Sequence, residues 1–296
     1  MTTRHSGFTA PDFSLEAFLA NLLQPNINAL LETLTRIHAD FSIDQIHETR
    51  LSIRTIRAHL DTFGSLLRKP ETRDFCRQLQ WLDSILGPLR DADVTLAILT
   101  KDLDYATSYG HDAEELQINL MHKLAEERES LSAGLPELLT GHEALSITSA
   151  LRYWLSHIPV RGKVLAAQSE SHWVLVHDCL KQSLQKLYRR ARQAARRPSR
   201  RRLHRVRIQA KEVEYSFAAV QSLGFIADTE TISLAGELHK LLGKYQDLVM
   251  LATWIKKLEL TSGKHLLMKR TLLLDTKQQR KRALSRYQKL IDARLI

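Results

Sequence analysis

Four basic side chains follow one another at three- and four-residue steps: His47, Arg50, Arg54 and Arg57. On a helix that advances about 100° per residue, these positions share one stripe, beside the apolar face that would enter the core. Like charges at this spacing repel, and holding them at the edge of a core is costly unless an anion binds there. Guanidinium groups form bidentate hydrogen bonds with phosphate oxygens, and an imidazole can donate one more. The row therefore predicts a phosphate-binding surface.

A second basic row, His204, Arg207 and Lys211, lies 157 residues after the first row and repeats its pattern. The pair Leu86-Gly87 likewise recurs as Leu242-Gly243, at an offset of 156. Two separate motifs that keep nearly one spacing indicate an internal repeat. We therefore expect two structural halves, residues 1–135 and 140–296, that pack together as a pseudo-symmetric unit.

Internal pairing is the alternative explanation for the two rows. Asp91 and Asp93 follow the first Leu-Gly pair and Asp247 follows the second, so these carboxylates are candidate partners for the arginines. Both explanations can hold at once, with the aspartates orienting some arginines while others face a ligand. Because residues two apart point to different sides of a helix, we expect Asp91 and Asp93 to anchor a helix start rather than to bind Mg²⁺.

Apolar residues recur at helical steps along almost the whole sequence, and no convincing β-strand alternation competes with them. Eleven glycines and seven prolines in 296 residues are too few for a turn-rich β-sandwich or barrel. Glycine and proline also mark expected helix ends, among them Gly87-Pro88. The sequence predicts an all-α protein in which each half is a bundle of about four main helices. Helices are expected at residues 15–40, 43–67, 73–86, 90–105, 113–131, 145–157, 169–195, 200–223, 229–242, 246–260 and 263–291.

Charge is distributed unevenly along the chain. The formal net charge is +10, but residues 1–150 carry −9 and residues 151–296 carry +19. Residues 181–211 contain 13 basic side chains and no acidic one, and residues 256–294 contain 12 basic and three acidic ones. Such a surface attracts polyanions and releases their counterions, so phosphate polymers, nucleic acids and anionic lipids are the candidate partners.

From the sequence we expect no membrane span, no cofactor and no metal site. No apolar stretch approaches the roughly 20 residues that cross a bilayer, and no apolar segment follows the charged N-terminus. Cys76 and Cys179 alone cannot build a disulfide framework or a zinc ligand set, which fits a reducing compartment. We expect a cytoplasmic protein that does not bind membranes, and the sequence leaves its oligomeric state open.

An HD-type, metal-dependent phosphohydrolase is one alternative function. His177-Asp178 is the dipeptide that such enzymes use to hold a metal, and His157 and His172 lie near it in the sequence. A dipeptide alone is a weak signal in a chain with 13 histidines. Because no glycine-rich phosphate loop and no Gly-x-Ser-x-Gly turn occurs either, we expect a protein without catalytic activity.

Nucleic-acid binding is the nearer alternative, since the same charge attracts DNA or RNA. Single-strand binders usually alternate basic residues with aromatic ones that stack on bases, whereas residues 181–211 contain only Tyr188. An amphipathic helix on a membrane surface would need Trp or Phe beside the basic run, and these are missing there. The composition favours a ligand that has phosphates and no bases.

Four blocks of this sequence resemble the CHAD domain (conserved histidine α-helical domain) and appear in that family's order: residues 46–57, 86–94, 203–211 and 242–248. The resemblance implies two four-helix-bundle-like repeats related by pseudo-two-fold symmetry, with a basic groove or pore between them. It further implies a non-catalytic module that binds inorganic polyphosphate, with polyphosphate granules as a candidate location. The ligand-facing residues it implies are His47, Arg50, Arg54, Arg57, His204, Arg207 and Lys211.

The chain departs from the family's pattern at several positions where a basic residue is common. These positions hold Thr55, Gln80, Glu214 and Gly236. Cations on the helix before the second row could compensate for the missing charge. The candidates are Lys186, Arg189, Arg190 and Arg192, of which we include Arg189 and Arg190 in the predicted site.

Overall fold

The computed structural model describes residues 14–36, 42–101, 111–166, 169–224, 228–257 and 263–294. Within these ranges the chain is helical apart from short connections and one isolated β-bridge between Leu67 and Val160, which confirms the predicted all-α fold. The helices are α1 (Leu15–Arg36), α2 (Ile43–Phe63), α3 (Lys69–Lys101), α4 (His111–Ala133), α5 (Leu135–Thr140), α6 (His142–Ser156), α7 (Gly162–Leu165), α8 (Ser169–Arg196), α9 (Arg200–Ser222), α10 (Thr229–Lys257) and α11 (Gly263–Arg294).

The two helices that carry the basic rows begin in the same way. Ser42 caps α2 by accepting a hydrogen bond from the backbone N–H of Gln45, and Ser199 caps α9 by accepting one from Arg202, both at 3.3 Å. Serine is favoured at this position because its oxygen satisfies one of the unpaired N–H groups of the first turn. Each cap lies five residues before the histidine of its row, so both rows occupy the same turns of their helices.

Helices α2 and α9 pack against each other at the centre of the molecule. Around them, α1 and α3 contact α2, whereas α8 and α10 contact α9, and α11 packs on α10. A buried hydrogen bond of 3.0 Å from Ser216 Oγ of α9 to Thr62 Oγ1 of α2 joins the central pair. One apolar core spans both sides of this contact and contains Ile53 and Ile56 of α2 and Val206 of α9. The central pair is therefore held rigidly from both sides.

The prediction of a helix break at Gly87-Pro88 is wrong, because α3 continues through it from Lys69 to Lys101. A proline inside a helix costs about 3 kcal/mol. Leu82, Leu86 and Leu89 of the same helix are almost fully buried, and each buried leucine contributes about 1.5–3 kcal/mol. Their burial outweighs the lost hydrogen bond. The expected gap at residues 243–245 is also wrong, since α10 is continuous from Thr229 to Lys257.

Helix α6 packs across the predicted boundary between the halves. It lies in the stretch 140–296, yet it contacts α1 and α3, and Trp154 stacks on Phe75 of α3 with ring centroids 4.7 Å apart. The segment after it is tied to the α2–α3 connection by hydrogen bonds from the N–H of Arg68 to Pro159 O and from the N–H of Arg161 to Leu66 O. The division into residues 1–135 and 140–296, and the pseudo-two-fold relation between the halves, stay predictions.

A search for membrane spans finds none: no helix in the described part of the chain combines the length and the apolar character that crossing a bilayer requires.

Candidate anion-binding site

The two basic rows meet at a cavity of about 200 Å³ between α2 and α9. Every predicted row residue except His47 lines it. Helix α2 contributes Arg50, Arg54 and Arg57, and α9 contributes His204, Arg207 and Lys211. Tyr215 and the carboxylates of Asp61, Asp83 and Glu212 complete the polar lining. The residues that the sequence placed 157 positions apart thus share one concave site.

Arg50 is the most enclosed cation of the first row, with 7% of its surface exposed. Its Nη1 donates to the backbone oxygen of Asp83 at 2.8 Å and lies 3.1 Å from Asp83 Oδ1, while Arg57 Nη1 lies 3.6 Å from Asp83 Oδ2. Burial lowers the pKa of Arg50, and the carboxylate of Asp83 partly offsets this. Asp83, on α3, therefore orients two of the arginines.

The carboxylate partners expected from the sequence were different. Asp93 is buried but pairs with Arg128 of α4 at 2.6 Å, and it lies within α3 rather than at a helix start. Asp91 lies close enough to Arg50 and Arg54 for both to oppose the rise that burial causes in its pKa, without forming an ion pair with either. Asp83 is not among the carboxylates that the sequence suggests as partners of the arginines. It is distant from the basic row in the sequence, and no periodic pattern connects the two.

A glycine on the next helix makes room for an arginine in each row. A Cβ atom at Gly87 of α3 would lie 3.1 Å from Arg50 Nη1, and one at Gly243 of α10 would lie 3.7 Å from Arg207 Nε. The Leu-Gly pair of the repeat thus belongs to the site. From the sequence alone, this pair served only as a marker of the repeat. Its recurrence at the same offset as the basic row was the signal that could have identified this role.

The cations at the centre of the cavity outnumber their carboxylate partners. In the described part of the chain, none of Arg54, Arg207 and Lys211 forms an ion pair, and the buried Nε of Arg207 has no hydrogen-bond partner. Burial, followed by the charges of Arg207 and Arg54, lowers the pKa of Lys211 to about 7. Burial and Arg54 also lower the pKa of Arg207. An anion in the cavity would relieve this repulsion.

Glu214, one of the departures from the family pattern, does not line the cavity. Its Oε2 lies 2.7 Å from Nδ1 of His239 on α10. A Cβ atom at Gly236 would lie 3.0 Å from Glu214 Oε1, so two of the departures form one local contact. Glu214 raises the pKa of Lys211 slightly against the stronger effects of burial and the neighbouring arginines.

The opposite end of the cavity is acidic. Glu212 is buried, its Oε2 lies 3.8 Å from Lys186 Nζ, and burial together with the charge of Asp61 raises its pKa to about 7. Arg190 lies beside this end and donates from Nη1 to Gln209 Oε1 at 2.9 Å. Arg189 is exposed on α8. Neither arginine lines the cavity.

His47 lies at the outer edge of the site. It is exposed, and its pKa is lowered by partial burial and then by Arg90 and Arg54. Arg90 of α3 is close enough to influence His47, Arg50 and Asp247, so it belongs to the same electrostatic cluster. Sequence reasoning did not assign Arg90 to the site, although it follows the Leu-Gly pair at the position that Gln246 occupies in the second half.

The residues of the phosphohydrolase alternative do not come together around a metal position. His177 and Asp178 are exposed on α8, and Nε2 of His172 lies 3.0 Å from the backbone oxygen of Val164. No group of three or more His, Cys, Asp or Glu side chains placed to hold a metal ion occurs among the described residues.

A sequence profile of the CHAD domain matches residues 21–256. The chain belongs to the CHAD family. This CHAD domain is similar to two solved structures: PptA from Streptomyces chartreusis, with a TM-score of 0.76, 17% identity and coverage of 93% of this chain and 98% of that one, and the CHAD domain from the plant Ricinus communis, with a TM-score of 0.68, 19% identity and coverage of 98% of both chains. At these identities the similarity shows the fold. No curated protein sequence matches this CHAD domain.

Proposed function

We propose that this protein binds inorganic polyphosphate, without catalysis, in the cavity between α2 and α9. CHAD domains are associated with polyphosphate binding. The observation that carries the proposal is the meeting of five lysine and arginine side chains from both rows in one cavity, where three of them have no ion pair within the described part of the chain. These three are Arg54, Arg207 and Lys211.

The length of the basic rows favours a linear phosphate chain over a single phosphate. Arg50 and Arg57 are two helical turns apart, which corresponds to about 10 Å along α2. Arg207 and Lys211 lie one turn apart on α9 and line the same cavity. A chain of phosphates can satisfy these cations at once, and each additional contact is then intramolecular. Because packing of both helices already orders the rows, little conformational entropy is lost on the protein side.

The lining also favours phosphates without bases. Tyr215 is the one aromatic residue among the described side chains that line the cavity, whereas single-stranded nucleic acids are usually held by several stacking rings. We propose a cytoplasmic location with association with polyphosphate granules, which fits the free thiols of Cys76 and Cys179.

Direct competition tests the proposal. Long-chain polyphosphate, duplex DNA and single-stranded RNA are titrated at one ionic strength, and we expect polyphosphate to bind most tightly. The double variant Arg54→Glu with Lys211→Glu should abolish polyphosphate binding while the circular dichroism spectrum stays helical. The matched control is Arg152→Glu with Lys181→Glu, which makes the same change of net charge at two exposed residues outside the cavity. Tighter binding of nucleic acid, or equal loss of binding in both double variants, would overturn the proposal.

A further inference from the structure

A second basic groove lies between α10 and α11, and α10 brings it close to a cation of the central cavity. It encloses about 610 Å³, and its charged lining consists of Lys244 and Asp247 from α10 and Arg282 and Arg286 from α11. Ile98 of α3 is part of its apolar lining. The second basic run of the sequence, residues 256–294, thus supplies cations to a site that the two basic rows do not use.

One turn of α10 faces both the cavity and the groove. Gly243 packs on Arg207, a cation of the central cavity, while its neighbour Lys244 and, one turn further, Asp247 line the groove. Arg207, Lys211 and Arg90 all oppose the rise that burial causes in the pKa of Asp247, so this carboxylate lies within reach of the central charges. Asp247, the one carboxylate in the described lining of the groove, is therefore the point where the groove comes nearest to the central cations.

The arginines of the groove resemble the basic row of α2 in their spacing. Arg282 and Arg286 lie four residues apart, and both are exposed. The positions three and four residues before and after them hold glutamine, serine, alanine, lysine, leucine or each other, but no carboxylate. Neither arginine forms an ion pair in the part of the chain that the structure describes. Like charges in this arrangement are unfavourable on a free helix and become favourable when an anion lies along them.

The corresponding surface of the first half is acidic. Helix α4 follows α3 and packs on it as α11 follows α10 and packs on it. Its last turns contain Glu126, Glu127 and Glu129, where α11 has Arg282 and Arg286. Arg128 lies between these glutamates but is paired with the buried Asp93, and Lys123 lies one turn before them, so the stretch keeps a net negative charge. At the position of Lys244, the offset of 156 places Pro88. A polyanion that extends beyond the central cavity is attracted on the α10–α11 side and repelled on the α3–α4 side.

We propose that polyphosphate chains longer than the cavity leave it in one direction only, along the groove of Lys244, Arg282 and Arg286. This inference rests on the proposed function, because it extends the same bound polymer. The protein would therefore hold one end of a long chain in the cavity and the groove, and the rest of the chain would extend freely on the α11 side. Affinity would depend on chain length because only long chains reach the groove, whereas the central cavity would bind short and long chains alike.

Paired variants measured with two ligands test the inference. Arg282→Gln with Arg286→Gln should weaken binding of long-chain polyphosphate about tenfold and leave tripolyphosphate binding unchanged. The slope of log affinity against log salt for the long chain should fall in magnitude by about 1.4, or about 0.7 for each lost phosphate contact with a single strand. The matched control is Lys277→Gln with Lys281→Gln, which removes two cations from the same helix in a different groove.

Each outcome has a distinct meaning. A length-dependent loss in the first variant with unchanged binding in the control supports the one-sided path. If the two double variants bind long chains equally well, or lose affinity equally, the groove is not a specific path and the inference fails although central binding persists. If the unmodified protein binds neither ligand, the proposed function itself fails.

Discussion

Arg50 of α2 lies against Gly87 of α3 so closely that a Cβ atom at residue 87 would be 3.1 Å from the guanidinium Nη1. Arg207 of α9 has the same relation to Gly243 of α10 with more space, since the corresponding distance to Nε is 3.7 Å. The first distance is tighter than an ordinary contact, whereas the second is a normal one. The repeated Leu-Gly pair and the repeated basic row therefore form one structural unit in each half.

The two glycines should respond differently to the same substitution. Alanine inside a helix is favoured over glycine by about 0.5–1 kcal/mol. We expect Gly243→Ala to raise the free energy of unfolding by about this amount and to leave polyphosphate affinity unchanged. Gly87→Ala should displace Arg50 by a few tenths of an ångström and weaken binding by about 0.5–1 kcal/mol, the scale of one impaired hydrogen bond. Chemical denaturation and calorimetric titration measure the two effects, and equal affinities in both variants would contradict the prediction.

Local periodicity was enough to predict the helices and the row residues. The spacing of His47, Arg50 and Arg54 on one stripe follows from helix geometry alone, and the 157-residue repeat indicated that a second row belongs with the first. That the two rows lie on neighbouring helices follows from tertiary packing of α2 on α9. Composition and repeats together therefore predicted which residues line the central cavity better than they predicted where helices end.

Contacts between distant segments could not be predicted in the same way. Asp83 orients Arg50 from a different helix, and no pattern in its own neighbourhood distinguishes it from the other aspartates of the sequence. The continuity of α3 through Pro88 depends on burial of leucines on one face, which outweighs a local breaking signal. Arg190 was expected in the site but donates from Nη1 to Gln209 Oε1 and does not line the cavity.

Polyphosphate binding should strengthen as the pH falls through neutrality. The pKa of Lys211 in the free cavity is lowered to about 7 by burial and by the charges of Arg207, Arg54 and Arg50, against a weak opposing effect of Glu214. A bound polyanion favours the charged amine of Lys211. Above pH 7 this amine must therefore take up a proton when the polyanion binds, whereas well below pH 7 it is already charged and takes up none. We expect weaker affinity at pH 8 than at pH 6, with proton uptake visible in calorimetry as a dependence on the buffer's ionisation enthalpy.

Lys211→Arg isolates this contribution, because arginine stays charged across the range. The variant should bind with a smaller change in affinity between pH 8 and pH 6, and with less proton uptake at pH 8. His204, whose pKa is lowered by burial and by Arg207, contributes only at more acidic pH. An unchanged pH profile in Lys211→Arg would show that another group carries the effect.

A buried histidine outside the site should limit stability in acid. His59 of α2 is 2% exposed, its Nδ1 has no hydrogen-bond partner, and burial lowers its pKa to about 4. The unfolded chain binds a proton near pH 6.5, before the folded protein does, so the free energy of unfolding falls as the pH decreases from about 7 to 4. The loss reaches a few kcal/mol at the lower end.

His59→Leu should remove this part of the pH dependence, since leucine fills a similar volume and does not titrate. His177→Leu, at an exposed position of α8, is the control and should leave the slope unchanged. Urea unfolding at pH 7, 6 and 5 measures both. If His59→Leu loses stability with decreasing pH as steeply as the unmodified protein, desolvation of His59 is not the cause.

Removing the buried carboxylate of Glu212 should strengthen polyphosphate binding at alkaline pH. Burial and Asp61 raise the pKa of Glu212 to about 7, against opposing effects of Lys186 and Arg190, so the group is mostly charged at pH 8 and mostly neutral at pH 6. Its negative charge lines the same cavity as Arg207 and repels phosphate. Glu212→Gln should therefore bind polyphosphate severalfold more tightly at pH 8, by about 1 kcal/mol, and nearly as the unmodified protein does at pH 6.

Glu214→Gln provides the comparison for this prediction. Glu214 is two residues away on α9 and carries the same charge, but it contacts His239 and does not line the cavity. We expect Glu214→Gln to change affinity less than Glu212→Gln at pH 8. Titrations of both variants at pH 6 and pH 8 decide the matter, because a gain that is equal at the two pH values would reflect net charge rather than titration of a carboxylate in the cavity.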